Sequence, residues 1–526
     1  MKSRRNFIKT ASYASAFAMI HPALKTNQLQ DTWAHVSEQS GSSISDSLLR
    51  AGFAELDISP EIGMEEPGGY WKSYHKVFHD PCKVRAMVVD DGNNRVAIVG
   101  IDTLTIPHQL VESVRKQIEL KCGIPSAAIL IGASHSHSAG PLGWIFPGEF
   151  DHESDLIRSL AYDKSPVIDM KYYKMVEKQL VEVVCQANQS RVEADMGVGK
   201  GIEDKVAFNR RFHMKNGITY THPGQLNPDI VEVAGPIDPE VGVIGAWDKD
   251  GKCIGCVVNY ACHATCDPGG ISANWIYFME QTIRGAMGND CVVVFLPGAC
   301  GDVTQVDNLN PYVNRTGLEW TRFVGARIGA EAAKTLLSMP RGNMVPVDCR
   351  TEVLEFNRRN PDPVRVKKCS EMVKQSPDDI GFTEWIFAKE IVMLDAIIRK
   401  EPVVKAEVQV IQVGPAVFVS NPAESFCQLG LDIKAGSSFK FTFPVELANG
   451  IIGYVPTPEA FGPDGGGYET RLTAYSNLDI LAGKVLVDTG LKLTKQLKPG
   501  MALEFPKVPP FTGEPWDLGN VKPELK

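Results

Sequence analysis

The sequence predicts a mixed α/β fold, a β-sheet core flanked by helices. Three observations carry this. Continuous apolar runs at residues 127–133, 256–261 and 291–296 read as strands buried on both faces. Stretches with helical spacing, at 108–120, 171–187, 316–339 and 383–399, separate the strand-like segments. The order strand, strand, helix, strand over residues 83–133 is that of a mixed sheet.

Each element has a local reason. Residues 1–28 read as a twin-arginine signal peptide, since Ser3-Arg4-Arg5-Asn6-Phe7-Ile8-Lys9 fits the pattern S-R-R-x-F-[LI]-K. The apolar region behind it, 11–20, is too short to span a bilayer. Such a signal implies a bacterial protein exported already folded by the twin-arginine machinery, to the periplasm or the medium. Residues 29–47 are polar, with Ser40-Gly41-Ser42-Ser43, and read as a linker. A single large domain is expected over 48–505, followed by a Pro-rich tail at 506–526.

Within the domain, residues 52–60 alternate and stop at Pro60, as a short strand does. Residues 83–89 and 95–102 form a strand pair turning at Asp91-Gly92-Asn93-Asn94. The strand at 127–133 ends in Ser134-His135-Ser136-His137, and Gly140-Pro141 starts a loop. Residues 142–170 read as a long loop placed to cover a pocket, with Trp144, Ile145, Phe146 and Phe150 as an apolar rim among acidic residues. Strands at 353–356, 408–413 and 416–420 follow, the last two a hairpin around Gly414-Pro415. Asn421-Pro422-Ala423-Glu424 closes a strand and opens a helix. A Gly-rich loop at 462–467 precedes Tyr468-Glu469-Thr470-Arg471, and the final helix covers about 477–497. No internal repeat is visible.

Of the 526 residues, 44% are hydrophobic and 22% charged, enough apolar material for a large core. The net charge of −9 argues against nucleic acid as a partner and does not exclude small or neutral substrates. No later apolar run is long enough to span a membrane. Cys253, Cys256, Cys262 and Cys266 have metal-like spacing, but Cys256 lies in an apolar run and no second CxxC follows. They read as buried free thiols.

His135 and His137 are two residues apart at a strand end, so both can face a pocket beyond the sheet edge. The alternative is two histidines in a polar loop. Further partners come later. His263 ends the apolar run at 256–262, Glu424 follows the strand at 416–420, and open α/β sheets bind ligands beyond such ends. Two His and one carboxylate with an open position is a common catalytic zinc set. Gly298 and Gly301 bracket a turn carrying Asp302 and Thr304, where small residues let backbone approach a ligand.

Ordered motifs across residues 50–500 resemble the neutral/alkaline, non-lysosomal ceramidase family of zinc amidases. Ala133-Ser134-His135-Ser136-His137-Ser138 is similar to its T-H-T-H-S segment, Asn209-Arg210-Arg211 to N-R-S, and Tyr260-Ala261-Cys262-His263 to its second histidine. Gly301-Asp302-Val303-Thr304 is similar to G-D-V-S-P, Pro422-Ala423-Glu424 to P-G-E, and Tyr454-Val455-Pro456-Thr457-Pro458-Glu459 to Y-V-T-T-x-E. The resemblance implies the ceramidase-like catalytic fold and one zinc held by His135, His263, Glu424 and Tyr454. It also implies catalytic or substrate-binding roles for His137, Arg210, Asp302 and Thr304. The chain departs from the family in carrying Thr304 and Gln305 where members have Ser and Pro, and in lacking the C-terminal β-sandwich-like domain. The expected function is hydrolysis of an amide, of an N-acyl lipid or a smaller N-acyl compound, with poor activity on long-chain ceramide. The alternatives are an ester or glycan-derived substrate, or a non-catalytic protein that keeps the metal as a clamp.

Overall fold

The computed structural model describes residues 49–310, 316–516, 518 and 520–526. The twin-arginine stretch and the linker lie outside the described residues.

The first strand β1 (Arg50–Asp57) pairs antiparallel with β2 (Lys83–Asp90), which pairs antiparallel with β3 (Arg95–Ile101). The β2–β3 turn is locked as its residues foretell. Asp91 Oδ1 accepts from the amides of Asn93 and Asn94 at 2.9 and 2.7 Å, the self-bonding turn that Asp favours. Helix α1 (His108–Cys122) then crosses over, and β4 (Ile129–Ala133) returns parallel to β3. A long helix, α2 (Met170–Gln189), follows.

The same order then recurs. Strands β5 (Val192–Ile202), β6 (Glu240–Asp248) and β7 (Cys253–Tyr260) are antiparallel, α3 (Trp275–Met287) crosses over, and β8 (Val292–Pro297) runs parallel to β7. Helix α4 (Leu318–Ser338) follows. It recurs once more. Strands β9 (Val347–Asn357), β10 (Val403–Val413) and β11 (Ala416–Ser420) are antiparallel, α5 (Cys427–Gly436) crosses over, β12 (Phe441–Val445) runs parallel to β11, and α6 (Ala482–Thr494) closes the unit.

The fold therefore has three units of one topology among the described residues, where the sequence shows no repeat. A buried strand asks only for apolar residues and a crossover helix only for one apolar face. Topology can thus be kept while every residue changes. The first two units share an eight-stranded sheet but join through only two residue pairs, Arg50↔Glu193 and Ala51↔Val192. The third has its own four-stranded sheet.

The units pack face to face on one core that includes Ile98, Leu130, Val294, Leu296, Phe418 and Phe443. The approach is close at Gly100, where an added methyl would sit 2.4 Å from the Phe295 carbonyl oxygen. This packing brings the ends of β4, β7 and β11 together, the three places where His135, His263 and Glu424 follow.

Residues 142–170 are not the open loop that their composition predicts. They contain the helix Asp155–Tyr162, capped by Ser154, and pack on the helix Phe382–Lys400. Phe150 is buried in that satellite core with Leu160, Trp385 and Ile391, Ile145 packs against it, and Phe146 meets Tyr173 edge to face at 5.8 Å. Three of the four residues expected at an apolar rim are thus committed to packing. The final helix, Ala482–Thr494, is shorter than 477–497, and Asn477 instead donates to the carbonyls of Thr473 and Ala474. Among the described residues, no helix is long and apolar enough to cross a membrane.

Candidate metal centre

Strand β4 is buried throughout, and the chain breaks from it at Ser134. His135 takes a left-handed backbone conformation, φ 61°, uncommon for a residue with a Cβ. Its Nδ1 lies 2.9 Å from the Leu104 carbonyl oxygen, which can only accept. So Nδ1 carries a proton, and Nε2 is the atom turned to the centre of the site. His263 is held the same way, with Nδ1 2.6 Å from the Cys300 carbonyl oxygen. Such carbonyl contacts fix ring orientation in metal-binding histidines.

Glu424 Oε2 lies 3.3 Å from His135 Nε2 and 3.6 Å from His263 Nε2. The edge of a tetrahedron with metal–ligand bonds of about 2.0–2.1 Å is about 3.3 Å. The approaches are close, yet His263 Nε2 and Glu424 Oε2 are buried with no hydrogen-bond partner. Buried polar atoms are rarely left so, and two aimed at one point fit a shared cation. The three ligand atoms lie within 4.8 Å of one another. The donor set, two imidazoles and a carboxylate, is one that zinc takes.

Burial opposes charge on Glu424, but its contacts with His135 and His263 outweigh it and hold the carboxyl well below its usual range, and Glu424 in turn raises His135 against burial. Burial, with Arg210, pushes His263 down to about 3, so it is a neutral donor at pH 7. Burial also lowers His137 well below the usual histidine value. His137 Nε2 lies 3.3 Å from His135 Nε2, and the loop at Gly68 covers its other side. Gly68 has φ 86°, and a methyl there would sit 2.5 Å from His137 Nδ1.

Tyr454 lies in the short strand Gly453–Val455, which pairs parallel with Ala423–Ser425 so that Glu424 and Tyr454 are register partners. Its hydroxyl accepts from Arg210 Nη2 at 3.2 Å and lies 3.1 Å from that of Tyr468. Arg210 is buried, donates through Nε to Glu469 Oε1 at 2.9 Å and through Nη2 to the Gly301 carbonyl at 2.6 Å, and has its guanidinium 5.1 Å from the Tyr468 ring centre. Asp302 sits apart. Its Oδ1 accepts from the Cys427 amide at 2.7 Å and its Oδ2 from Asn209 Nδ2 at 2.8 Å, so its carboxylate ties loops together. Thr304 Oγ1 accepts from the Val306 amide at 3.2 Å within its own turn.

Sequence reasoning passed over three residues here. Glu469 anchors Arg210 and accepts from Thr221 Oγ1 at 2.6 Å. Tyr468 lines the same face. Glu446 is pushed up to about 8 by burial and accepts from the Cys300 and Ser425 amides. Glu446 had a readable signal, a carboxylate directly after an apolar strand, as Glu424 nearly is.

No protein-family model matches the sequence, and no curated protein does. Solved structures that share the fold include two ceramidases. The neutral ceramidase from Pseudomonas aeruginosa aligns with a TM-score of 0.61 at 17% identity, over 88% of this chain and 77% of that one. A ceramidase complexed with C2 aligns with a TM-score of 0.62 at 17% identity, over 88% of this chain and 78% of that one. The mixed α/β architecture expected from the sequence is thus the one these ceramidases have. At this identity the likeness is one of fold.

Proposed function

We propose that the chain is an exported zinc-dependent amidohydrolase, with one zinc per chain, that cleaves an N-acyl compound smaller and more polar than a two-chain lipid. The observation that carries the reading is the pair of unpartnered buried atoms, His263 Nε2 and Glu424 Oε2, facing His135 Nε2. The shared fold with ceramidases supports the hydrolase class.

His135, His263 and Glu424 would hold the metal, with Tyr454 beside Glu424 as a further ligand or a hydroxyl donor. When bound, zinc supplies Lewis-acid chemistry, an acidified water and a polarised carbonyl. Arg210 supplies fixed positive charge. Glu469 and the Gly301 carbonyl hold its guanidinium, so it needs no rearrangement as negative charge grows on an acyl oxygen. His137 is kept neutral by burial and stands beside His135, where its ring can hydrogen-bond a substrate oxygen. Asp302 and Thr304 act by positioning, since both bond within the scaffold.

The narrowing of substrate rests on the expected rim. Phe150, Ile145 and Phe146 pack inward, which leaves less apolar surface to take a long-chain lipid from a membrane. The test compares zinc-loaded full chain on long-chain ceramide in detergent, short N-acyl compounds, O-acyl compounds and glycans. Short N-acyl compounds are expected to have the highest kcat/KM. Preference for O-acyl compounds or glycans would move the chain to an esterase or glycan-directed reading, and preference for ceramide would restore the plain ceramidase one. Export is tested by Arg4→Lys with Arg5→Lys, which should hold precursor in the cytoplasm.

A further inference from the structure

Cys122 is the last residue of α1, and Cys185 lies in the last turns of α2. The two helices pack side by side, and the two Sγ atoms are 2.6 Å apart. A second pair supplies the contrast. Cys253 and Cys291 stand 3.6 Å apart, both buried, the spacing of two thiols in contact. All four are free thiols, and the first pair is the closer and has the one member that is not fully buried, Cys122.

We infer that Cys122 and Cys185 form a disulfide that staples α1 to α2. Two S–H bonds break and one S–S bond forms, while two electrons and two protons pass to the disulfide of a CxxC-type thiol oxidase, which leaves as a dithiol. Cys122 is only half-buried and Cys185 is buried, so the incoming disulfide reaches Cys122 first and Cys185 resolves the mixed intermediate. Burial and the neighbouring thiol push the Cys122 thiol up to about 12. Little thiolate is present at neutral pH, so the bridge is a structural staple and not a fast switch. The cross-link spans 63 positions and encloses β4, His135 and His137. It restrains the segment that delivers two site histidines, whatever chemistry that site performs. An oxidising compartment, as the Ser3–Lys9 motif implies, is where such a bond persists.

The test uses full chain incubated with oxidised glutathione, then denatured with an alkylating agent and no reductant, digested and mapped by mass spectrometry. The expected result is one peptide pair linked through Cys122 and Cys185 and separated by reductant, with Cys253 and Cys291 alkylated. Alkylation of both Cys122 and Cys185, or linkage of either to another cysteine, would overturn the inference. Reduction should also lower the Tm of the oxidised wild type by a few degrees and leave that of Cys122→Ser/Cys185→Ser unchanged. An unchanged wild-type Tm after full reduction would show that the bond restrains nothing.

Discussion

Two clusters of buried charge lie close together in this molecule and are built on opposite principles. In the first, Arg85 on β2 donates to Asp102 at 2.7 Å and, through Nε, to Glu280 at 2.9 Å, and Lys83 donates to Glu280 at 2.8 Å. No buried side-chain atom of Arg85, Asp102 or Glu280 lacks a partner. In the second, His263 Nε2 and Glu424 Oε2 are both left without one. Desolvated charge is costly, and the first cluster offsets that cost inside the chain. The second leaves it open at the ends of three strands. The difference separates a cluster that holds strands and α3 together from one that, in the proposed function, a cation would complete. The two are neighbours in sequence, since Asp102 directly follows β3 and the Leu104 carbonyl orients His135.

The largest effect that would break this comparison is on turnover. His135→Ala should abolish activity on the best N-acyl substrate while circular dichroism still reports a folded chain. Unchanged turnover would remove the second cluster from the chemistry. Next is Arg85→Met, which removes the buried guanidinium that Asp102 and Glu280 share. It should cost about 3–5 kcal/mol in urea unfolding, with zinc still bound by the folded fraction. Loss of zinc from folded Arg85→Met would show that the clusters are one unit. A smaller effect is expected for Arg210→Ala, which should keep zinc and lose about 10–100-fold in kcat/KM. Loss of zinc there would make the arginine a part of the scaffold.

The smallest effect is on pH dependence. Burial would raise the Glu280 carboxyl, but Arg85 and Lys83 hold it down to about 2 from the ordinary 4.5. A depressed carboxyl lends stability above its unfolded pKa and loses it as pH falls through the folded one. Stability should therefore decline between pH 4.5 and 2. Asp102, pushed up by burial, works with the opposite sign and reduces the slope. Glu280→Gln should flatten the decline in urea midpoints across that window. An identical slope in the variant would mean that Glu280 is not the group titrating.

Much of the fold was legible in the sequence because buried strands read as continuous apolar runs, as at 129–133 and 292–296. The strand-end positions of His135, His263 and Glu424 were legible for the same reason. The threefold repeat was not, because it lives in topology and pairing rather than in residue identity. The direction in which a turn residue faces was equally hidden. Asp302 and Thr304 sit in one short turn, and only the packing of α5 and residues 208–209 sends the Asp302 carboxylate to Cys427 and Asn209. The apolar residues around Phe150 read as a rim because sequence does not reveal that the distant helix Phe382–Lys400 covers them.

The central claim is that the open cluster holds a metal. The direct measurement is elemental analysis of full chain after zinc loading and exhaustive dialysis, with Glu424→Ala in parallel. About one zinc per chain is expected in the wild type and none in Glu424→Ala, both folded. A wild-type chain that retains no transition metal, or a Glu424→Ala chain that retains as much as the wild type, would contradict the account.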